Sequence, residues 1–252
     1  MSDNDIYQFL RAKNKDFVIP LPDVPEPYKS KLEGLVSTYL PKNLGCIAGG
    51  AVHNIMTGRG ELKDVDIFPF NKIMFLNFCR EELGSIEGDV TIRGTTNNDS
   101  IGSENIYPAF ISGYMFSLPN TRTPQGFTLN GVEREDIRTV NYKINGTPVQ
   151  IVLSIRDNPK HVISTFDLSV CQWAVTRDYL YFGKQTLNDC DSGILHVENS
   201  NNPVYTFNRI KLRYNYYYLP VTEVVKLGNL ITDFSKLAEE KKIPITQLVY
   251  NL

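Results

Sequence analysis

The sequence predicts a mixed α/β domain followed by a small helical C-terminal region, and three observations lead there. A short apolar run at 44–48 meets Gly49-Gly50, an amphipathic stretch and then the alternating segment Asp64-Val65-Asp66-Ile67-Phe68, which together read as strand, helix and strand. Two alternating apolar runs flank Asn145-Gly146, the dipeptide that most strongly signals a tight hairpin. Beyond about residue 187 strand patterns give way to helical spacing. At 252 residues the chain accommodates one large domain with such an appendage.

In chain order, residues 1–27 read as an N-terminal extension. Ile6, Phe9 and Leu10 suit a short amphipathic turn, and the closely spaced prolines from Pro20 to Pro27 hold the chain extended. Tyr28, Leu32, Leu35, Val36 and Tyr39 share one helical face, and Pro41 ends that helix. The run 44–48 reads as a buried strand, 51–57 as a short helix capped by Gly58, 64–68 as a strand ended by Pro69, and 73–83 as a helix. Residues 94–126, rich in Gly, Ser, Asn, Thr and Pro, read as a long loop. The hairpin follows over 138–153, then a mixed segment at 160–175 and a short strand at 179–183. In the last part Ile210, Tyr214, Tyr217 and Tyr218 recur at helical spacing, and a second helix runs over 221–242. The expected organisation is an extension at 1–27, a catalytic-type domain at 28–186 and a helical region at 187–252.

Composition narrows the function. The chain is 42% hydrophobic and 21% charged, ordinary for a globular protein, and no stretch approaches the roughly 20 apolar residues of a membrane span. The acidic start, Met1 to Asp5, has no apolar run behind it and does not read as a signal peptide. A cytoplasmic protein with reduced, buried thiols is expected, because Cys46, Cys79, Cys171 and Cys190 form no C-x-x-C pair and match no zinc spacing. A net charge of −2 gives no footprint for gripping nucleic acid along its length. The three histidines lack metal-protease spacing, and no G-x-S-x-G occurs.

The chemistry concentrates between Gly49 and Asp66. Two glycines between a strand and a helix let the backbone approach a ligand, and the helix start offers unpaired N–H groups to an anion such as a triphosphate. Asp64 and Asp66 are two apart on a strand, so both project from one face, where paired carboxylates suit Mg²⁺ shared with substrate phosphates.

The run from Gly49-Gly50-Ala51-Val52-His53-Asn54 to Gly58-Arg59, closing on Lys63-Asp64-Val65-Asp66-Ile67, resembles the signature of the polymerase-β-type nucleotidyltransferase superfamily. It is most similar to the tRNA CCA-adding and poly(A) polymerase branch, which reads G-G-x-V-R-D-x-L-x-G-R…K-D-I-D-I. The segment Phe166-Asp167-Leu168-Ser169 and the stretch from Arg209 to Leu219 resemble later parts of the same head domain, and the general look is similar to nucleotidyltransferases of bacteriophages and large viruses, which would place the chain in a host cytoplasm. The resemblance implies a polymerase-β-like head with a mixed sheet. It implies a nucleoside triphosphate as substrate, Mg²⁺ or Mn²⁺ as cofactor, and an RNA 3′ end as acceptor; the near-neutral charge and short C-terminal part leave a protein or small-molecule acceptor open as well. By the same resemblance Asp64 and Asp66 hold the metal and act in catalysis. Gly49, Gly50, His53, Arg59, Lys63, Asp167, Arg209 and Arg213 would serve the nucleotide.

Two departures bear on activity. The branch's Arg-Asp after G-G-x-V is here His53-Asn54, a titratable group and an amide. The third carboxylate, expected on the strand beside D-x-D, is matched by Gln150, which offers a neutral oxygen; Asp136 and Asp157 are the acids that stand near it in sequence. An active nucleotidyltransferase and a degenerate one that binds a nucleotide or a protein partner are therefore both expected readings.

Overall fold

Short extended segments assemble one large sheet, and amphipathic helical segments cover it. In this computed structural model, residues 3–81, 90–94, 115–118, 128–129, 132–133, 137–152, 157–200 and 203–240 are described. Among them the chain runs α1 (Asp3–Lys13), β1 (Val18–Pro20), α2 (Tyr28–Tyr39), β2 (Gly45–Ala48), α3 (Gly50–Thr57), β3 (Val65–Pro69) and α4 (Lys72–Glu81). It continues through β4 (Val90–Gly94), β5 (Met115–Leu118), β6 (Thr128–Leu129), β7 (Val132–Glu133), β8 (Ile137–Ile144) and β9 (Thr147–Val152). The final elements are α5 (Pro159–Ser164), β10 (Trp173–Val175), β11 (Tyr179–Phe182), α6 (Thr186–Ser192), α7 (Pro203–Arg213) and α8 (Val221–Glu240).

Nine strands form a mixed sheet in the order β1-β11-β10-β2-β3-β9-β8-β4-β5, with β6 and β7 paired separately. The β3–β9 pair is parallel, and its neighbours on either side are antiparallel. The hairpin turn is the one the sequence announces. Asn145 and Gly146 both have positive φ, 50° and 81°, and the register closes with Ile144 opposite Thr147. On one face Ile47, Val65, Ile67, Val149, Ile151 and Trp173 belong to the main core with α2 and α3. On the other, Cys46, Ala48 and Ala174 pack against Val162 and Ile163 of α5. A mixed α/β architecture is thus the fold.

Two expectations are corrected. The segment expected to be an N-terminal extension belongs to the core: Ile6, Leu10 and Ile19 are fully buried, β1 pairs with β11, and α1 packs on α6. Its apolar residues find partners far along the chain, which local periodicity does not reveal. Nor is there a break at residue 187, since α6 spans it with Thr186 and Leu187 buried. Second, the tyrosines after Arg213 do not continue a helix. α7 ends at Arg213, and Tyr214–Tyr218 form a turn in which Tyr217 N–H bonds Tyr214 O at 3.0 Å. Most of the expected loop over 94–126 lies outside the described residues, but β5 within it is a strand paired to β4. The ends of the expected helices at 82–83 and 241–242 and strand residue 153 also lie outside them.

Leu10→Ala is expected to lower stability by about 2–5 kcal/mol, the range for truncating a buried leucine, measured by urea unfolding. An appended α1 would shift it by less than about 0.5 kcal/mol.

Candidate active site

The site begins where β2 runs into α3. Gly49 has φ 79° and ψ −133°, a region that side-chain-bearing residues avoid, and this turns the chain from strand to helix. Its N–H stays in the sheet, donating to Trp173 O of β10 at 2.9 Å. Gly50 opens α3, whose first N–H groups have no intrahelical acceptor; His53 is the first to be satisfied, by Gly49 O at 3.0 Å. α3 stops at Gly58, in the left-handed region with φ 63°. The Asn54 side chain donates to Arg59 O at 3.3 Å and Gly60 O at 2.9 Å. Asn54 therefore clamps the loop that leads back to β3.

Asp64 and Asp66 project from the sheet face opposite Val65 and Ile67, both fully buried. Asp66 lies between Ala48 of β2 and Gln150 of β9 in the strand register, so the expected neighbour of the D-x-D pair is in place. Gln150 donates its amide to Asn141 Oδ1 of β8 at 2.6 Å and brings no charge. Burial, and then the charge of Asp64, push the Asp66 carboxyl up to about 7, against the pull of Arg209 and Arg213. Two hard carboxylate oxygen donors on one strand suit a divalent cation such as Mg²⁺. Among the described residues no group of three or more His, Cys, Asp or Glu gathers as a metal site. Asp157 accepts instead from His161 Nδ1 at 2.7 Å on exposed surface, and Asp136 lies outside the described residues.

α7 supplies the cationic side. Arg209 and Arg213 stand one turn apart, on one face of the helix. Arg213 Nη1 lies 3.7 Å from Asp64 Oδ2. Arg209 binds Asp167, whose other oxygen accepts from Thr206 Oγ1 at 2.8 Å, and its guanidinium lies 5.7 Å from the ring centres of both Tyr205 and Tyr214. Asp167 and Arg209, both expected to serve the nucleotide, are thus paired with each other here, and the pair fastens α7 to the domain.

A cavity of about 340 Å³ opens beside these elements. Of the expected residues, Gly50, His53, Arg59, Lys63, Asp64 and Arg213 border it, whereas Gly49, Asp66, Gln150, Asp167 and Arg209 do not. His53 is enclosed, unlike the exposed Lys63. It is 2% exposed, shares a 2.9 Å hydrogen bond with Tyr217 OH, and burial, then the charge of Arg59, hold its pKa down to about 3. A neutral imidazole offers phosphate no charge. Arg59 stands over the Tyr217 ring at 5.1 Å. Tyr214, Asn215 and Tyr216 also border the cavity; of these, Tyr214 was read at helical spacing in the sequence. The turn-favouring Asn215 inside the tyrosine run was the available signal for a helix end there.

Two measurements follow from this geometry. Folded Asp66 keeps its proton up to about pH 7, whereas an unfolded aspartate releases it near 3.8, so the metal-free protein loses this stability as pH rises across that window. Asp66→Asn is expected to be more stable than wild type by about 1–3 kcal/mol near pH 8 in chelator, with the advantage fading toward pH 4, as read from urea unfolding. Asp167→Ala is expected to cost about 2–4 kcal/mol even without nucleotide, because it strands a largely buried guanidinium; thermal unfolding of the nucleotide-free protein checks this.

Among solved structures, the chain is similar to a CCA-adding enzyme in its apo form, with 11% identity and TM-score 0.49 over 92% of this chain and 49% of that one. It is also similar to a tRNA nucleotidyltransferase complexed with a primer tRNA and an incoming ATP analogue (17% identity, TM-score 0.44, 86% and 54% covered). A tRNA-processing enzyme with CTP gives 17% identity and TM-score 0.43 over 86% and 49%. The chain spans about half the length of the solved structures it matches. No curated protein matches the sequence. The family model of Gad2 matches residues 26–192, well over half of the chain and the whole stretch from α2 through β11. The protein belongs to the Gabija anti-defense 2 family.

Proposed function

We propose that this protein is a metal-dependent nucleotidyltransferase that moves a nucleoside monophosphate from an NTP to a hydroxyl acceptor. The observation that carries the reading is one cavity bordered together by Gly50 at the start of α3, Asp64 and Arg213. The amide of Gly50 and those next to it at the start of α3 would bind the triphosphate with help from Lys63, Arg59 and Arg213. Mg²⁺ or Mn²⁺ held by Asp64 and Asp66 would neutralise charge on the phosphate oxygens. In the reaction the acceptor oxygen bonds to the α-phosphorus, the bond from that phosphorus to the bridging oxygen breaks, and pyrophosphate leaves with its electron pair. The acceptor's proton passes to solvent.

The family name supports an acceptor within the Gabija defence, and the sequence resemblance to the CCA-adding branch supports an RNA 3′ end; a protein hydroxyl fits the same chemistry. The setting would be the cytoplasm of the defended host. Among the described residues no helix is long and apolar enough to cross a membrane.

A second reading is favoured by Gln150 beside Asp66 and by the neutral His53: a site that holds a nucleotide or a partner without turnover. Incubation with α-labelled NTPs, Mn²⁺ or Mg²⁺ and lysate containing the defence system separates the two. Label transfer that falls at least ~100-fold in Asp64→Ala and in Asp66→Ala is the expected result. Nucleotide binding without transfer would select the second reading, and neither binding nor transfer would remove both.

A further inference from the structure

We infer that this site takes one divalent cation rather than two, and that the Arg213 guanidinium supplies the positive charge a second cation would bring to the reacting phosphate. This rests on the nucleotidyltransferase reading above. Two-cation phosphoryl transfer places the ions about 3.5–4 Å apart, each needing anionic ligands in addition to substrate oxygens. The register position beside Asp66 is where a carboxylate for the second ion would stand, and it holds Gln150. That amide is bonded to Asn141 at 2.6 Å within the sheet face, and it is neutral. Asp157, the nearest described acid in sequence, is paired with His161 on exposed surface. The donor set on this strand face therefore fits one ion; Glu61, the other acid bordering the cavity, stands on the loop before β3 and outside that face.

A cation is nevertheless already present at the pair. Arg213 Nη1 stands 3.7 Å from Asp64 Oδ2 and borders the same cavity as Gly50. Its backbone position is fixed from the preceding turn, where Arg209 is held by Asp167 and the Tyr205 and Tyr214 rings. Arg213 thus extends from an anchored helix turn. A guanidinium offers charge and directed N–H donors to phosphate oxygens, which a bound ion offers as charge and coordination. With substrate absent, the same guanidinium competes with metal for Asp64. With substrate present, the triphosphate is the better anionic partner, and Arg213 and the ion no longer compete.

The test counts metal directly. Mn²⁺ titration followed by electron paramagnetic resonance, with a non-hydrolysable NTP analogue at saturation, is expected to give one ion per wild-type chain and two per chain in Gln150→Asp or, should that variant fold poorly, Gln150→Glu. In Arg213→Ala, Mn²⁺ binding to the nucleotide-free protein is expected to tighten several-fold, while analogue binding weakens at least tenfold. Circular dichroism establishes that each variant is folded. Two ions per wild-type chain, or unchanged metal and analogue affinities in Arg213→Ala, would overturn this inference and leave the proposed function standing. No analogue binding by the wild type would overturn both.

Discussion

β3 is a five-residue strand held between antiparallel β2 and parallel β9, and its register decides which face of the sheet carries Asp64 and Asp66. A slip of one residue would exchange the two faces, turning both acids toward the main core and Val65 and Ile67 away from it. Each buried aliphatic side chain on the core face contributes about 1.5–3 kcal/mol to keeping the present register. Ile47, Val149 and Ile151 flank Val65 and Ile67 there and are 1% exposed or less. The position of the acids is thus set by side chains that touch no ligand. The same constraint explains the unequal pair. Asp66 lies within the sheet and is reluctant to ionise, whereas Asp64 stands at the strand's entrance, 38% exposed, and meets Arg213.

What the sequence displayed was local. The Gly49-Gly50 turn, the alternation through Asp64 to Phe68 and the Asn145-Gly146 hairpin each follow from a few neighbouring residues, and each formed as read. Even the meeting of Gln150 with Asp66 was legible, because strand alternation fixes which residues share a face. What stayed hidden depends on residues distant in sequence. Leu10 is buried on α1, a helix that packs on α6 more than 170 residues on. Asp167 and Arg209 resembled two separate nucleotide ligands, and only the fold shows that they stand against one another. His53 looked like a replacement phosphate partner, yet the turn after α7 wraps it in Tyr214 and Tyr217. Burial sets that side chain's chemistry, and motif spacing carries no information about it.

The tyrosine turn and the α7 arginines divide one task. The buried rings of Tyr214 and Tyr217 close the apolar side of α3 around His53, while Tyr216, 39% exposed, faces the cavity. Asn54 performs a matching service on the opposite rim by holding the loop at Gly60, where an added Cβ would come within 3.1 Å of Tyr216 OH. The two rims therefore approach closely, and glycine at 60 permits that approach without strain at its positive φ of 76°.

β1 has a consequence beyond the core it helps to complete. It is three residues long, ends in Pro20 and is followed at once by a turn of 3-10 helix at Leu21–Asp23. A short border strand with a residue that lacks an N–H is a poor template for another chain's backbone. Behind it lies β11, with Tyr179, Leu180, Tyr181 and Phe182 in succession, a run of high strand propensity without a charge. The first twenty residues thus act as a cover as well as a brace: peeled away, they would leave an adhesive aromatic border where the intact protein shows an inert one.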